Sequence, residues 1–429
     1  MPKIKNFKKL AINPLRKSAL EIIEAGLNAI DTKTIIKNTV YLDEENLTVQ
    51  NKKFNLKDIK RIFVVGVGKC SLEAGMALEE ILGKKLSGGI VLDVHQGKLK
   101  KIKAFKGDHP LPSPQNIAVT EKIIELLKSL AGDDLVIFVI SGGGSTLLCQ
   151  PKGMSYLEEA DIMRQLTRAG ADIEKINTVR KHLSLARGGF LAKYIYPAKA
   201  VSLIFSDVPG HSIEFVASGP TTKDTTTISD AREVLWKYNT LKDLNISNLD
   251  LIETPKHNKY FKNIDNILVV SNEVALRAMA DKALKLGFQA EIITNNFSGE
   301  ARNLGKEFVS KLEEKNPKTV LLYGGESTVT VRGDGKGGRN QELALSALRY
   351  IKDNQLLVSV ASDGRDNCEL AGAICDIISR IKVKNLGLSV EKYLENNDSY
   401  GFFVKTGDYL LTGDTGSNVS DLIIAIKNG

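Results

Sequence analysis

The chain has 429 residues, 42% hydrophobic and 26% charged, which suits a globular protein long enough for two cores and excludes a disordered or fibrous one. Its net charge of +8 is thinly spread and lacks an aromatic-studded basic groove, so it reads as solvated surface rather than as a nucleic-acid or membrane-binding face. Cys70, Cys149, Cys368 and Cys375 show neither CxxC nor Cys/His spacing, which argues for reduced thiols in a cytoplasmic protein and against a zinc site or disulfide framework.

The start, "MPKIKNFKKLAINPLRK", has no apolar core segment, and the longest apolar runs are strand-sized. Neither a signal peptide nor a membrane span is expected. After a helical stretch "ALEIIEAGLNAI" comes the β-run "RIFVVGVGK", then a helix "SLEAGMALEEIL" with apolar positions spaced for one buried face. "GGIVLDV", "DLVIFVISGGGS" and "KAVSLIFSDVPG" repeat the scheme. Residues 240 to 262 turn polar and irregular, and a domain boundary is placed there. The alternation restarts with "NILVVS", a helix from "NEVALRAMADKALKLG", "AEIIT", a helix to about Glu314, "TVLLYGGES", a helix from Gln341, "LLVSVASDG" and "DLIIAI". Strands alternating with helices predict an α/β fold of two domains, 1–250 and 251–429. Oligomeric state is not legible, and a homo-oligomer stays open.

Five apolar runs end in glycine or small polar residues, where open α/β sheets bind ligands. In "SGGGS", Ser141, Gly142, Gly143, Gly144 and Ser145 read as an anion cradle of backbone N–H groups and hydroxyl donors, or else as a tight turn. "GVGKCSLEAG" is not a phosphate loop of the GxxxxGK[ST] kind, because Phe63 and Cys70 occupy required positions; it is also an imperfect dinucleotide fingerprint, with Ser71 at the third glycine. Lys69 can neutralise phosphate as a mobile charge, or is simply a solvated surface lysine.

"GGESTVTVRGDGKGGRNQE" holds Gly325, Glu326, Lys336, Arg339 and Asn340. It reads both as a hairpin turning at "GDGKGG" and as a glycine loop entering a helix, with Arg339 placed to clamp phosphate or carboxylate. "INTVRKHLS" reads ordinarily as a solvated helix face, with His182 expected to be structural and Arg180 the candidate should a substrate carboxylate need a partner. Asp207 and Asp363 each follow a β-run and suit Mg²⁺ or the attacking hydroxyl, or simply cap a turn.

Taken together, these segments resemble the class II glycerate kinases, glycerate 2-kinases with an N-terminal α/β domain and a C-terminal domain of the MOFRL type. The likeness runs nearly end to end through "VGVGKCSLEAGMALEE", "HPLPSPQNI", "VISGGGSTLL", "INTVRKHLS", "FSDVPG", "VASGPTTKD", "LYGGESTVTVRGDGKGGRNQELAL", "SDGRD", "NNDSYGFF" and "LLTGDTGSNVSDL". It implies two different α/β domains, each a largely parallel or mixed sheet flanked by helices, with the active-site cleft between them. It also implies transfer of phosphate from ATP to D-glycerate, giving 2-phosphoglycerate, with a divalent metal. The family's active-site lysine and arginine correspond to Lys69 and Arg339. The chain departs from the usual pattern at His211, Arg365, Asn367, Cys368, Glu369 and Asp414. The rival enzyme is an NAD(P)H-dependent hydroxypyruvate reductase, which the sequence opposes: the fingerprint is broken at Ser71 and no clear ribose-binding acid follows, although Asp93 lies at a suitable distance.

Overall fold

A computed structural model describes residues 2–206, 213–247 and 249–429, arranged in two compact units, Thr32–Val269 and Met1–Asp31 with Val270–Gly429. This division differs from the expected 1–250 and 251–429.

The Thr32–Val269 unit opens with an antiparallel meander of β1 (Val40–Leu42), β2 (Asn46–Val49) and β3 (Lys52–Asn55). Its main sheet has β4 (Arg61–Val67), β5 (Leu86–Asp93), β6 (Ile102–Lys106), β7 (Asp134–Ser141), β8 (Lys199–Phe205) and β9 (Ile264–Val270) in the order β6-β5-β4-β7-β8-β9. The pairs from β6 to β8 are parallel. Every residue of β7 is buried, as expected of a strand covered on both faces, and this is why it reads as an unbroken apolar run. Val65, Val67, Phe138 and Ile140 from the sheet pack with Val119, Ile123, Leu147 and Ala217. A smaller core, built on Ile162, Leu166, Val179, Leu183 and Leu235, holds the helices Tyr156–Arg168, Ile173–Leu183 and Ile228–Lys237 together.

In chain order the sheet grows outward from β4 through β5 to β6, then restarts on the other side of β4 with β7. The reversal makes the carboxyl ends of β4 and β7 a topological switch point, where ligands of open α/β sheets bind. "GVGK" follows one of these strands and "SGGGS" the other.

The second unit has a mixed sheet of β10 (Gln289–Glu300), β11 (Thr319–Thr328), β12 (Gln355–Ala361), β13 (Gly372–Asp376), β14 (Tyr409–Leu410) and β15 (Asp421–Lys427), ordered β10-β11-β15-β12-β13-β14. The C-terminal strand β15 lies antiparallel to both β11 and β12. Its core joins Phe308, Leu321, Tyr323, Leu343, Leu357, Phe402 and Ile423.

Two assignments of the sequence reading change. "NILVVS", read as the first strand of the second domain, forms β9 at the edge of the first sheet. The N-terminal helix Pro14–Ala29, which follows a single turn at Phe7–Leu10, belongs with the C-terminal residues. Its Arg16 is fully buried, donating to Asp376 at 2.7 and 2.6 Å and to Asp408 at 2.7 Å. These partners are more than 350 residues away in sequence, and no local pattern reveals them.

Candidate active site

In the Thr32–Val269 unit the two strand-end loops are fastened together. The N–H of Lys69 donates to the carbonyl of Gly142 at 3.0 Å, and the N–H of Cys70 donates to Ser141 Oγ at 3.3 Å. Gly68 makes this approach feasible, since a Cβ there would lie 2.1 Å from Ser141 Oγ. Gly143 has a left-handed φ of +81°, and a Cβ on it would lie 3.1 Å from Lys69 Cγ, so the lysine stem runs across bare backbone. Past Gly143 the chain turns into the short helix Gly144–Leu147, leaving the N–H groups of Gly143, Gly144 and Ser145 without an acceptor among the described residues. Three such donors beside a lysine can receive phosphate oxygens.

The helix Ser71–Leu82 does not offer its N-terminus in the same way. Asp93, 1% exposed, accepts from the N–H of Leu72 at 2.8 Å and from the N–H of His95 at 3.0 Å. That carboxylate is a buried helix cap.

His109 stands near Gly143 and Lys69. Although the residue as a whole is exposed, desolvation of its ring and the charge of Lys69 hold its pKa down to about 4, so the imidazole stays neutral.

Arg180, on the helix Ile173–Leu183, lines a cavity of about 210 Å³ together with Ser145, Glu159 and Arg187. This volume is below the ~300–1,000 Å³ of pockets for drug-sized ligands and suits an acid of few carbons. Desolvation, helped by the charge of Arg187, lowers the Arg180 pKa to about 10. His182 is structural as expected: buried, with Nδ1 2.8 Å from the carbonyl of Thr178 and Nε2 3.3 Å from Glu253.

In the second unit, Arg339 opens the helix Arg339–Ala347, two residues before the expected start. Its Nε and Nη2 donate to Asp421 at 2.6 and 3.0 Å, and Nη1 lies 2.6 Å from Glu326. Burial works to lower the Arg339 pKa, but the hydrogen bonds to Asp421 and the surrounding carboxylates raise it above the ordinary range. The first N–H groups of the helix are already satisfied. Asp366 accepts from the N–H of Asn340 at 3.0 Å and of Gln341 at 2.8 Å. Burial is the main cause pushing Asp366 up to about 6.

Asn340 ties this cluster together, donating from Nδ2 to Asp421 at 2.9 Å and to Asp366 at 3.3 Å and accepting from Ser359 Oγ at 2.6 Å. Arg339, Glu326 and Asp366 line a cavity of about 730 Å³, within the range of nucleotide-sized ligands. Gly325 is buried in β11, where a Cβ would lie 2.3 Å from the carbonyl oxygen of Phe297. Packing alone accounts for that glycine.

No hairpin forms at "GDGKGG". After β11 the chain is pinned to "NND": the N–H groups of Arg332 and Gly333 donate to Asn397 Oδ1, and that of Gly335 donates to the carbonyl of Asn396 at 2.9 Å. A Cβ on Gly338 would lie 2.2 Å from the carbonyl oxygen of Asp366, so glycine is required there by neighbouring backbone.

Of the two proposed metal ligands, Asp207 lies outside the described residues, as does His211. Asp363 accepts from the N–H of Arg365 at 2.9 Å in a local turn. Among the described residues no group of three or more His, Cys, Asp or Glu is arranged to hold a metal. Asp366 and Asp421 were missed as site candidates by the sequence reading; the "SDGRD" and "LLTGDTGSNVSDL" motifs contain them, but nothing local says where they fold.

The chain matches the family described as "Domain of unknown function (DUF4147)" over residues 18–253 and the "MOFRL family" over residues 319–421. It is 37% identical to the D-glycerate 2-kinase of Thermotoga maritima, covering 96% of this chain and 98% of that one. A protein of Agrobacterium vitis called "Putative hydroxypyruvate reductase" is 36% identical, covering 84% of this chain and 86% of its own. The crystal structure of a glycerate kinase from Thermotoga maritima superposes with a TM-score of 0.84 at 36% identity, covering 96% and 99% of the two chains. Likeness of sequence and of fold over nearly the full length shows that the chain belongs to the glycerate kinase family with DUF4147 and MOFRL domains.

Proposed function

We propose that the protein is a glycerate 2-kinase that transfers the γ-phosphoryl group of ATP to the 2-hydroxyl of D-glycerate. In this reaction the bond from the γ-phosphorus to the β,γ-bridging oxygen breaks and a bond to the glycerate oxygen forms. ADP leaves with the bridging oxygen, and the hydroxyl proton is released. The observation that carries the reading is the pair of loops at the switch point, where three open N–H groups adjoin Lys69 and share Ser145 with the Arg180 cavity.

Phosphoryl transfer asks a protein mainly for positioning and neutralisation of charge. Gly142 to Ser145 would hold phosphate, with Ser141 fixing their loop. Lys69 and Arg339 would stabilise charge on the transferring oxygens, with Glu326, Gly325 and Asn340 shaping the surroundings of Arg339. Arg180 would receive the glycerate carboxylate. Mg²⁺ is held chiefly by nucleotide phosphates and water, and needs only one or two carboxylates from a protein; Asp207 and Asp363 are proposed for that part, and Asp207 also for the acceptor hydroxyl. When bound, the ion supplies neutralising charge.

The reductase reading has the names of two Agrobacterium vitis relatives in its favour. Against it stand the broken fingerprint at Ser71 and the commitment of Asp93 to the helix cap. A phosphorus NMR spectrum of the product from D-glycerate, ATP and Mg²⁺ tests the proposal. A 2-phosphoglycerate resonance is expected. A spectrum with the ATP resonances unchanged, together with NADH oxidised by hydroxypyruvate, would replace it with the reductase.

A further inference from the structure

The wall of the smaller cavity has a hydrogen-bond direction that can be worked out from the donors present. A serine hydroxyl has a single hydrogen. Ser218 spends its own on Asn177 Oδ1, 2.6 Å away, and both residues are buried. Ser218 Oγ and Ser145 Oγ are 2.9 Å apart, so the hydrogen between them comes from Ser145. Ser145 therefore turns only lone pairs toward the cavity it lines, the reverse of the donor role expected from "SGGGS".

Asn177 Oδ1 also accepts from Arg180 Nη1 at 3.4 Å, which holds the amide oxygen in this orientation. The Ser218 hydroxyl is kept in place by unusual backbone: Ala217 and Ser218 have φ of +51° and +58°, left-handed values that cost non-glycine residues energy.

The charges around the cavity are unbalanced. Arg187 and Glu159 pair with each other at 2.5 Å, both nearly fully buried. Arg164 pairs with Asp161 at 2.7 Å. Arg180 feels the charge of Glu159 but forms no ion pair of its own within 4 Å among the described residues. The wall thus presents one guanidinium without its own ion pair and one hydroxyl oxygen that can only accept. A ligand that satisfies both carries a carboxylate and a hydroxyl hydrogen.

We propose that this cavity is a hydroxy-acid seat in which Arg180 binds the carboxylate of the acceptor and Ser145, oriented by Ser218 and Asn177, accepts the hydrogen of its 2-hydroxyl as the acid binds, leaving to Asp207 only the proton released in transfer. The proposal rests on the kinase reading for the identity of the acceptor, and it adds the feature by which the acceptor is chosen. Arg180 and Ser145 are contact residues; Ser218 and Asn177 are positioning residues.

The test uses dissociation constants measured by calorimetry on the full chain without ATP. Two small acids serve as probes: D-lactate, which has the 2-hydroxyl, and 3-hydroxypropionate, which lacks it. Ser145→Ala should weaken D-lactate about 5- to 10-fold and leave 3-hydroxypropionate within about twofold, as expected for loss of one neutral hydrogen bond. Arg180→Gln, which keeps the apolar stem, should weaken both acids by about 30-fold or more. Ser218→Ala should weaken D-lactate but not 3-hydroxypropionate.

Equal effects of Ser145→Ala on both acids, or none on either, would overturn the seat, as would unchanged binding in Arg180→Gln. Failure of the kinase reading looks different: the acids would bind as described while D-glycerate and ATP gave no phosphorylated product.

Discussion

Arg339 grips Asp421 through two nearly parallel hydrogen bonds, 2.6 Å from Nε and 3.0 Å from Nη2, joining the first residue of a helix to the first residue of β15. Asp421 is 1% exposed, so its charge is tolerable only because the guanidinium and Asn340 compensate it. Asp421→Asn should lower stability by about 2–4 kcal/mol, since it leaves Arg339 with a single charged partner at an incompletely hydrated site. Urea unfolding of the two proteins measures this; a change below about 0.5 kcal/mol would mean that the pair is dispensable.

For Lys69→Ala and Arg339→Ala, kcat in a coupled kinase assay should fall by about two orders of magnitude or more, the usual effect of removing a charge that stabilises a transition state. Arg339→Lys should recover little of it, because an ammonium cannot reproduce the two-point contact with Asp421. Activity within a few fold of the parent protein would remove either residue from the mechanism.

Gly143→Ala tests the close passage of the Lys69 side chain over bare backbone. The substitution combines a φ of +81° with a Cβ 3.1 Å from Lys69 Cγ. A stability loss of about 1–2 kcal/mol is expected from the left-handed conformation alone. The fall in kcat should exceed about tenfold, because the lysine must also shift. Thermal melts and initial rates on the same preparation separate the two effects.

The raised pKa of Asp366, about 6, makes a signed prediction for pH. A folded-state pKa above the unfolded value means that the native protein binds the extra proton more readily, so the contribution of this group to stability falls as pH rises from about 4 to about 6. The stability difference between the parent protein and Asp366→Asn should therefore shift against the parent across that window. Denaturant titrations at pH 4.5 and 7 check the sign; a difference that does not vary with pH would refute it.

Arg16→Met would leave Asp376 and Asp408 buried with one cation, Lys382, 2.6 Å from Asp408, to serve both. A loss of about 3–5 kcal/mol is expected, as for other buried pairs broken on one side. Chemical unfolding followed by circular dichroism would show it.

Much of this protein follows from local sequence alone. The helix Ser71–Leu82 and the strands β4, β7, β8 and β15 were legible because apolar spacing reports burial directly, whether on one face of a helix or on both faces of a parallel strand. Tertiary structure alone decided the rest, since pairing between distant segments leaves no periodic trace. It assigned the helix Pro14–Ala29 to the C-terminal unit through Arg16, gave β9 to the first sheet, and replaced a supposed hairpin with a loop held by Asn396 and Asn397. It also spent two helix N-termini on Asp93 and Asp366, and it reversed the hydrogen-bond role of Ser145. A residue type states what a side chain can donate or accept; only its folded neighbours determine which of those capacities is left for a ligand.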